Sequence, residues 1–314
     1  MSLSRREVIR MAAGAGAALT LGSDLFASPS DVRSGQYMKA IPSSGERIPA
    51  MGLGSASTFM RAARSEAEHT ELREVLKLFS DLGGAVVDTA SRYGASEEVI
   101  GRLVRAIGNA DQLFMATKIS GVRGRVEGME QQATSERRLA PGNIDLNQVH
   151  NLGDWQTQLA VLRELKQDGR VRYIGVTTSR DRQYEQLEQI LRAEEMDFVQ
   201  FDYAIDNRNA EDALIPIARD KGMATLINGP FGNTRLFRRV SDREVPDWAN
   251  EFGANSWAQF FLKWLIGHPD ITVPIPATSD PGHMRDNMGA GLGRMPDTAE
   301  RKRMQDYIDA LPGG

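Results

Sequence analysis

Four side chains between positions 88 and 150 have the types needed to reduce a carbonyl group. Asp88 and Tyr93 lie in VVDTASRYG, Lys118 lies in FMATKIS, and His150 ends IDLNQVH. Hydride delivered to a carbonyl carbon leaves a developing alkoxide, which a positioned phenol can protonate. We therefore interpret Tyr93 as a general acid and His150 as a hydrogen-bond donor to the carbonyl oxygen.

The lysine and the aspartate complete this chemistry because they act on the phenol. A free phenol has a pKa of about 10, which is too high for easy proton transfer near neutral pH. One ammonium at about 4 Å supplies about 4 kcal/mol in favour of the phenolate at an effective dielectric constant near 20. We expect Lys118 to lower the pKa of Tyr93 in this way. We expect Asp88 to keep the lysine protonated and oriented.

Each of these residues has a structural alternative when it is considered by itself. An aspartate after a strand is often a helix N-cap, and a single histidine is often a satisfied interior side chain. Their joint placement favours function, because Asp88, Lys118 and His150 each follow or end a strand-type run and Tyr93 lies in the loop after the first. The carboxyl ends of successive strands are where β/α barrels carry their active sites.

Strand-type and helix-type segments alternate along the chain, which indicates parallel strands with helices packed outside them. The strand candidates are GLGS, AVVD, LFMATK, IDLNQVH, RYIGVT, DFVQFD, ATLIN and ITVPI. Between them, apolar residues recur at intervals of three and four in runs such as SEEVIGRLVRAIG, several of which stop at glycine. QYMKAIPSSGERIPAM precedes them as a predicted hairpin that closes the barrel bottom. The predicted fold class is α/β, a single-domain (β/α)8 TIM barrel over residues 36–314.

These stretches resemble the aldo/keto reductase family. The match runs in the family's order from about residue 38 to residue 290 and includes MGLGSAST, VVDTASRYGASEEVIGRLV, MATKIS, IDLNQVHNL, LRELKQDGRVRYIGVTTS, DFVQFDYAI, TLINGPFG and SWAQFFLKWLIGHPDITVPIPATSDPGHMRDNM. The resemblance implies an eight-stranded β/α barrel, the catalytic roles given above, and a nicotinamide cofactor bound without a Rossmann domain. The implied substrate is a small aldehyde or ketone, or an alcohol in the reverse direction.

The resemblance also implies where the cofactor lies. The nicotinamide carboxamide would lie near Thr177 and Gln200, the pyrophosphate would lie beside Pro230, Phe231 and Gly232, and the adenosine end would lie along the last βα segment. The full set of implied cofactor contacts is Gly54, Ser55, Thr177, Gln200, Asn228, Pro230, Phe231, Gly232, Pro276, Ala277, Thr278, Ser279, His283 and Asn287.

Three of these positions depart from the family pattern. Members that bind the 2'-phosphate tightly often carry Lys and Arg where this chain has Ala277 and His283. A neutral site gives up charge-assisted hydrogen bonds to a dianion, although Arg285 nearby could partly replace them. Asn228 stands where many members place an aromatic ring against the nicotinamide. The resemblance still favours NADP(H) over NAD(H) as the cofactor.

The composition narrows the classes of function. The 314 residues include 41% hydrophobic residues, which is enough for a substantial core, and carry a net charge of −4, which does not indicate a nucleic-acid partner. The chain has no cysteine, so disulfides, thiol nucleophiles and cysteine-ligated metals are excluded. The four histidines are far apart and lack the spacing of metal ligands, which argues against a metal site.

The N-terminal segment predicts export. SRREVIR, then the apolar MAAGAGAALTLG, then SDLFASPS are typical of a twin-arginine signal peptide, which we assign to residues 1–30 with a cleavage region near Ala27. Its apolar run is too short for an ordinary transmembrane helix, so no membrane span is expected. We expect the twin-arginine translocation machinery as a partner and a periplasmic or cell-envelope localisation. The alternative is a basic N-terminus without a function.

The connection NGPFGNTRLFRRVSDREVPDW has no clear periodicity, and a connection of this length in a compact domain is usually a lid or a binding loop. We expect it to fold over the cofactor, with Arg235, Arg238 and Arg239 either touching phosphates or forming a solvated face.

Two other functions fit part of the pattern. One is a nicotinamide-dinucleotide-binding, redox-sensing module with little turnover. The other is a phosphate-binding barrel enzyme such as an aldolase, in which Lys118 forms a Schiff base. A pure sensor needs the cofactor pocket but no proton donor, so the presence of Tyr93 with its three companions favours the reductase.

Overall fold

The computed structural model describes residues 35–56, 58–60 and 66–312. Within them, eight parallel strands follow one another in sequence order around a single sheet. These strands are β3 (Leu53–Gly54), β4 (Val86–Asp88), β5 (Phe114–Ile119), β6 (Leu146–His150), β7 (Tyr173–Thr177), β8 (Phe198–Asp202), β9 (Ala224–Asn228) and β10 (Val273–Pro274). Each predicted strand segment overlaps one of them, so the predicted (β/α)8 barrel is confirmed.

The first and last strands of this sheet meet and close the barrel. Gly54 on β3 forms a parallel bridge with Ala277, just beyond β10, and the Gly54 N–H donates to the Pro276 carbonyl at 3.0 Å. A Cβ atom at position 54 would lie 2.7 Å from the Ile275 carbonyl oxygen, so glycine permits this close approach. Closure leaves the sheet without an open edge.

Helices follow the strands and pack on the outside of the barrel. In the described part of the chain, the α-helices are α1 (Glu66–Asp81), α2 (Ser96–Ile107), α3 (Gly124–Leu139), α4 (Trp155–Gln167), α5 (Tyr184–Ala193), α6 (Leu214–Asp220), α7 (Arg235–Arg239), α8 (Trp257–Ile266), α9 (Pro281–Gly289) and α10 (Thr298–Asp309). Short 3-10 helices occur at Ala110–Gln112, Asp181–Gln183, Asn209–Glu211 and Asp247–Phe252.

Helix α2 shows why these segments become helices. Its buried apolar residues include Val99, Ile100 and Leu103, which recur at the helical period and face the core. The helix ends at Gly108, which adopts a left-handed conformation with φ 77° and donates its N–H to the Val104 carbonyl. This is the glycine C-cap that the sequence predicts.

The predicted N-terminal hairpin is present and closes the lower end of the barrel. Strands β1 (Met38–Ala40) and β2 (Arg47–Pro49) pair in an antiparallel sheet. Ile41 and Ile48, which flank or lie in this hairpin, are buried with barrel residues such as Phe198 in one apolar cluster. The hairpin therefore fills the end of the barrel opposite to the carboxyl ends of the strands.

The long connection after β9 differs from the prediction in part. It contains helix α7, which has only five residues and is therefore too short to show a clear apolar period. Arg235 forms a two-pronged ion pair with Asp206, at 2.7 and 2.9 Å, and Arg239 donates to the Leu311 carbonyl at 2.7 Å. These two arginines are thus committed to protein partners in this structure.

The predicted export signal lies outside the described residues. Among the residues that the structure does describe, no helix combines the length and the apolar character needed to cross a membrane.

Candidate active site

Three successive strands and one loop bring the four predicted catalytic residues to the carboxyl end of the barrel. Asp88 ends β4, Lys118 lies one residue before the end of β5, and His150 ends β6. Tyr93 lies in the loop between β4 and α2. Since β4, β5 and β6 are neighbours in the sheet, these side chains share one end of the barrel.

Lys118 and Asp88 form a buried ion pair. Lys118 Nζ donates to Asp88 Oδ1 at 2.6 Å, to Asp88 Oδ2 at 2.7 Å and to the Thr89 carbonyl at 2.7 Å, which engages all three ammonium hydrogens. The two residues are 1% and 3% exposed. Burial raises the pKa of Asp88, and the Lys118 charge opposes this rise. The aspartate thus holds and orients the lysine.

Tyr93 lies between this cation and the imidazole. Lys118 Nζ is 5.3 Å from the centroid of the Tyr93 ring. The Tyr93 and His150 rings meet edge to face, with their centroids 5.7 Å apart and their planes at 79°. A phenol, an ammonium and an imidazole are therefore gathered around one point, as a carbonyl-reducing site requires.

The predicted lowering of the pKa of Tyr93 is wrong, because in the structure this pKa is raised. The Lys118 charge is the strongest single influence and lowers the pKa, but burial and the Asp88 charge raise it by more in sum, so the pKa of Tyr93 lies above its ordinary value. The sequence argument treated the lysine as an isolated cation. In the structure its charge is accompanied by the carboxylate that it binds, which acts on the phenol in the opposite direction.

His150 is neutral in this environment. Burial lowers its pKa to about 3, and the positive charges of Lys118, Arg180 and Arg92 add to the effect. Its Nδ1 atom lies 2.5 Å from the Ser120 hydroxyl oxygen. A neutral imidazole carries one N–H donor and one acceptor nitrogen, so it can offer a single hydrogen bond to a substrate oxygen.

A chain of amides crosses the barrel beneath the site. Gln200 Oε1 accepts from Gln148 Nε2 at 2.6 Å, while Gln200 Nε2 donates to Asn228 Oδ1 at 2.7 Å and lies 3.4 Å from Asp88 Oδ2. Gln200 is fully buried. Its amide is therefore committed within the protein, and its contact with a nicotinamide carboxamide stays a prediction.

A cavity of about 500 Å³ opens above these residues. Asp88, Tyr93 and His150 lie in its wall, while Lys118 lies behind them. The predicted cofactor residues that line it are Gly54, Ser55, Thr177, Asn228, Pro230, Phe231, Pro276 and Ala277. Those outside the lining are Gln200, Gly232, Thr278, Ser279, His283 and Asn287.

The lining fits a nicotinamide dinucleotide. Two glycines in the wall let the protein itself pack closely there: a Cβ atom would lie 2.7 Å from the Ile275 carbonyl oxygen at Gly54 and 2.3 Å from Asp202 Oδ1 at Gly229. Ser55, Thr177 and Asn228 bring hydroxyl and amide groups to the lining, which suit the polar parts of a dinucleotide, and the volume is in the usual range for ligand sites.

The segment predicted for the adenosine end is less charged than a dianion prefers. Helix α9 is capped by Asp280, whose Oδ1 accepts the His283 N–H at 2.8 Å. Ala277, Ser279 and His283 are exposed, while Thr278 and Asn287 are buried. Arg285 is exposed on the same helix, and its role as a substitute cation stays a prediction.

Comparison with known proteins identifies the family. The family model described as "Aldo/keto reductase family" matches residues 50–300. The chain belongs to this family. Family membership supports an NAD(P)H-dependent oxidoreductase built on the barrel described above.

This aldo/keto reductase is 28% identical to "Aldo-keto reductase YhdN" of Bacillus subtilis, a match that covers 65% of this chain and 64% of that protein. It is 29% identical to "Pyridoxine 4-dehydrogenase" of Escherichia coli, over 77% of this chain and 87% of the other. It is 24% identical to the "NADH-specific methylglyoxal reductase" of the same organism, over 72% and 84%.

The fold of this aldo/keto reductase also matches a solved structure. An aldo/keto reductase from Klebsiella pneumoniae, solved in complex with NADP and acetate, aligns with a TM-score of 0.71 at 22% identity. The alignment covers 88% of this chain and 97% of the other. This likeness shows the shared barrel.

Two residues of this aldo/keto reductase escaped the sequence analysis. Ser120 follows Lys118 by two positions and contacts His150, and Asp202 follows Gln200 by two positions and lines the cavity. Burial raises the pKa of Asp202 to about 6. Side chains two apart on a strand point to the same face, so strand alternation was the signal that could have found both.

Proposed function

We propose that the protein reduces an aldehyde or ketone to an alcohol with NAD(P)H, or catalyses the reverse oxidation, with Tyr93 as the general acid. The observation that carries this proposal is the position of Tyr93 in the cavity wall, between the buried Lys118–Asp88 pair and the neutral His150. The cavity offers both a proton donor and a hydrogen-bond donor to a carbonyl oxygen.

The roles follow from the contacts. The reduced nicotinamide, when bound, supplies the hydride for the carbonyl carbon. Tyr93 gives its hydroxyl proton to the oxygen, and the phenolate that remains is stabilised by the Lys118 ammonium. Asp88 and the Thr89 carbonyl hold that ammonium in place. His150 orients the carbonyl by donating a hydrogen bond, and Tyr93 regains a proton from solvent before the next turnover.

The test is turnover of a panel of small aldehydes by the purified protein with either reduced cofactor. We expect Tyr93→Phe to lower kcat by at least about a thousandfold while the affinity for the dinucleotide changes by less than about twofold. Tyr307→Phe, on the terminal helix α10, is the matched control. Wild-type rates in Tyr93→Phe would show that the acid is misassigned, and cofactor binding without any turnover would favour the redox-sensing alternative.

The Schiff-base alternative is disfavoured by the contacts of Lys118. A Schiff base needs a neutral amine with a free lone pair, whereas all three hydrogens of this ammonium are donated at 2.7 Å or less. Borohydride reduction in the presence of a carbonyl compound should therefore leave Lys118 unmodified.

We propose NADP(H) rather than NAD(H) as the preferred cofactor. The Klebsiella relative was solved with NADP, and the family resemblance favours the phosphorylated form. We assign the 2'-phosphate contact to Arg285, which is exposed on the same helix as His283. Fluorescence titration with NADPH and NADH measures the preference directly. Tighter binding of NADH would contradict the proposal. One relative is named as NADH-specific, so this outcome has a precedent in a similar protein.

We propose that residues 1–30 direct export of the folded protein through the twin-arginine machinery to the periplasm or cell envelope. The support is the sequence pattern, with Arg5 and Arg6 ahead of an apolar run. Fractionation of cells that express the full chain should find the wild type outside the cytoplasm. The double change Arg5→Lys and Arg6→Lys should retain it inside, and equal distribution of both would contradict export by this route.

A further inference from the structure

Ser120 is placed to control the imidazole of His150. The parallel register pairs Lys118 with Gln148 and Ile119 with Val149, so the next residue of each strand path places Ser120 opposite His150. Ser120 is 6% exposed, and its hydroxyl oxygen lies 2.5 Å from His150 Nδ1. Among the described residues His150 Nε2 has no hydrogen-bond partner, so it is the ring nitrogen left for a substrate in the cavity.

The backbone of Ser120 is itself held in place. Its N–H donates to Gln131 Oε1 at 2.6 Å, and its carbonyl accepts from Gln131 Nε2 at 3.0 Å. One amide side chain from α3 thus satisfies both backbone groups of the serine. Because the peptide groups on either side of Ser120 are fixed, its side chain starts from a fixed position beside His150.

The direction of this hydrogen bond decides the tautomer of His150. A hydroxyl can donate to Nδ1, which leaves the imidazole hydrogen on Nε2, or it can accept from an Nδ1–H, which leaves Nε2 without a hydrogen. Among the described residues, Ser120 Oγ has no second hydrogen-bond partner. If Ser120 donates, its hydroxyl hydrogen is satisfied; if it accepts, a nearly buried hydroxyl hydrogen has no acceptor.

We propose that Ser120 is a positioning residue that donates its hydroxyl hydrogen to Nδ1 of His150 and thereby holds the imidazole hydrogen on Nε2. This inference rests on the proposed function, because an Nε2–H is what a carbonyl oxygen in the cavity would accept. Ser120, two residues after Lys118, thus sets the tautomer in which His150 can donate to the substrate.

The surroundings of His150 make this control necessary. Three cations, Lys118, Arg180 and Arg92, and burial keep the ring from taking a second proton. A ring with a single hydrogen binds a carbonyl oxygen only when that hydrogen is on the nitrogen that faces it. In the other tautomer a nitrogen lone pair would meet the oxygen lone pairs, which repels the substrate.

The direct test is nitrogen NMR of the protein labelled in its four histidines. His150→Gln identifies the His150 signals by their loss. We expect wild-type His150 to show a hydrogen on Nε2 and none on Nδ1 near neutral pH, and Ser120→Thr to show the same. Ser120→Ala should show a mixture of both tautomers. A wild-type signal from the Nδ1–H tautomer, or an unchanged single tautomer in Ser120→Ala, overturns the proposal.

Kinetics supply the second readout. We expect Ser120→Ala to lower kcat by about 10- to 100-fold and to raise KM for the carbonyl, a smaller loss than the ~10⁴-fold drop in kcat that a wrong histidine tautomer causes in serine proteases. Ser120→Thr should recover rates within about threefold. Ser43→Ala, whose hydroxyl contacts Asp197 at the opposite end of the barrel, is the control. If the wild type reduces no carbonyl, the proposed function fails while the NMR result still decides the tautomer.

Discussion

Asp88 and Lys118 share one buried ion pair but shift the pKa of Tyr93 in opposite directions. The ammonium lowers this pKa and the carboxylate raises it, and the sum with burial lies above the ordinary value for a phenol. The aspartate is needed to fix the lysine 5.3 Å from the ring centroid of the tyrosine. The ion pair therefore fixes the position of the ammonium beside Tyr93, but it leaves Tyr93 a weaker acid than a free phenol.

Removing Lys118 and removing Asp88 should shift the pKa of Tyr93 in opposite directions. Lys118→Met should raise the pKa of Tyr93 and lower kcat by about a hundredfold or more, because the phenolate loses its stabilising charge. Asp88→Asn should lower the pKa of Tyr93 while Lys118 keeps its proton, because a negative charge is removed and the ammonium, still bonded to the Thr89 carbonyl, remains. Titration of the tyrosinate absorbance against pH measures both pKa shifts, after the signal of the other tyrosines, recorded in Tyr93→Phe, is subtracted. Shifts of the same sign in the two variants would refute the electrostatic account.

The reductive rate should not fall on the alkaline side until the pH exceeds about 10, the ordinary pKa of a phenol. The reason is that Tyr93 must be protonated to donate, and its pKa is raised. The measurement is kcat/KM for an uncharged aldehyde against pH, with the cofactor saturating. A decline centred near pH 7 that persists in His150→Gln would contradict the assignment of Tyr93.

His150 should make stability depend on pH in the acid range. The folded-state pKa of about 3 lies below the unfolded value of 6.5, so the unfolded chain binds more protons between these pH values and stability is lost as the pH falls through 6.5. Between pH 7 and pH 5 the loss should be at most about 2 kcal/mol. Urea unfolding of wild type and His150→Gln at both pH values measures it. His69→Gln, outside the barrel, is the control.

Asp202 should lower stability at neutral pH. Its folded-state pKa of about 6 exceeds the ordinary value of 3.8, so the folded protein holds the proton more tightly and loses stability as the pH rises through this interval. Asp202→Asn should therefore gain up to about 3 kcal/mol at pH 8, and the gain should vanish near pH 3.5. Thermal or urea unfolding against pH tests this, with Asp212→Asn as an exposed control. A pH-independent difference would show that ionisation is not its cause.

The cofactor preference should respond to charge at the adenosine end. Ala277→Lys combined with His283→Arg adds two cations where this chain has two exposed uncharged or weakly basic side chains. A hydrogen bond to a charged group contributes about 1.5 to 3 kcal/mol, so NADPH should bind at least about tenfold tighter while NADH changes little. Equal gains for both cofactors would show that the added charges act on the pyrophosphate instead.

The sequence predicted the barrel because its strands are short apolar runs whose order and number can be counted. Between the strands, helices such as α2 can be predicted from the helical spacing of apolar residues such as Val99, Ile100 and Leu103. Helix α7 could not be predicted in the same way, since five residues do not complete two turns. For Arg235 in this helix, the sequence left two interpretations open, a phosphate contact or a solvated face. In the structure Arg235 pairs with Asp206 instead.

The sequence by itself determined which side chains could perform the chemistry and that three of them lie at or next to the ends of successive strands, because residue type and strand order are local properties of the chain. Only the tertiary structure decided the sign of the pKa shift at Tyr93, the commitment of Gln200 to Asn228 and Asp88, and the contact of Ser120 with His150. These depend on distances and burial between residues far apart in sequence. Electrostatic energy and hydrogen bonding change sharply over a few ångströms, and no pattern along the chain fixes distances at that scale.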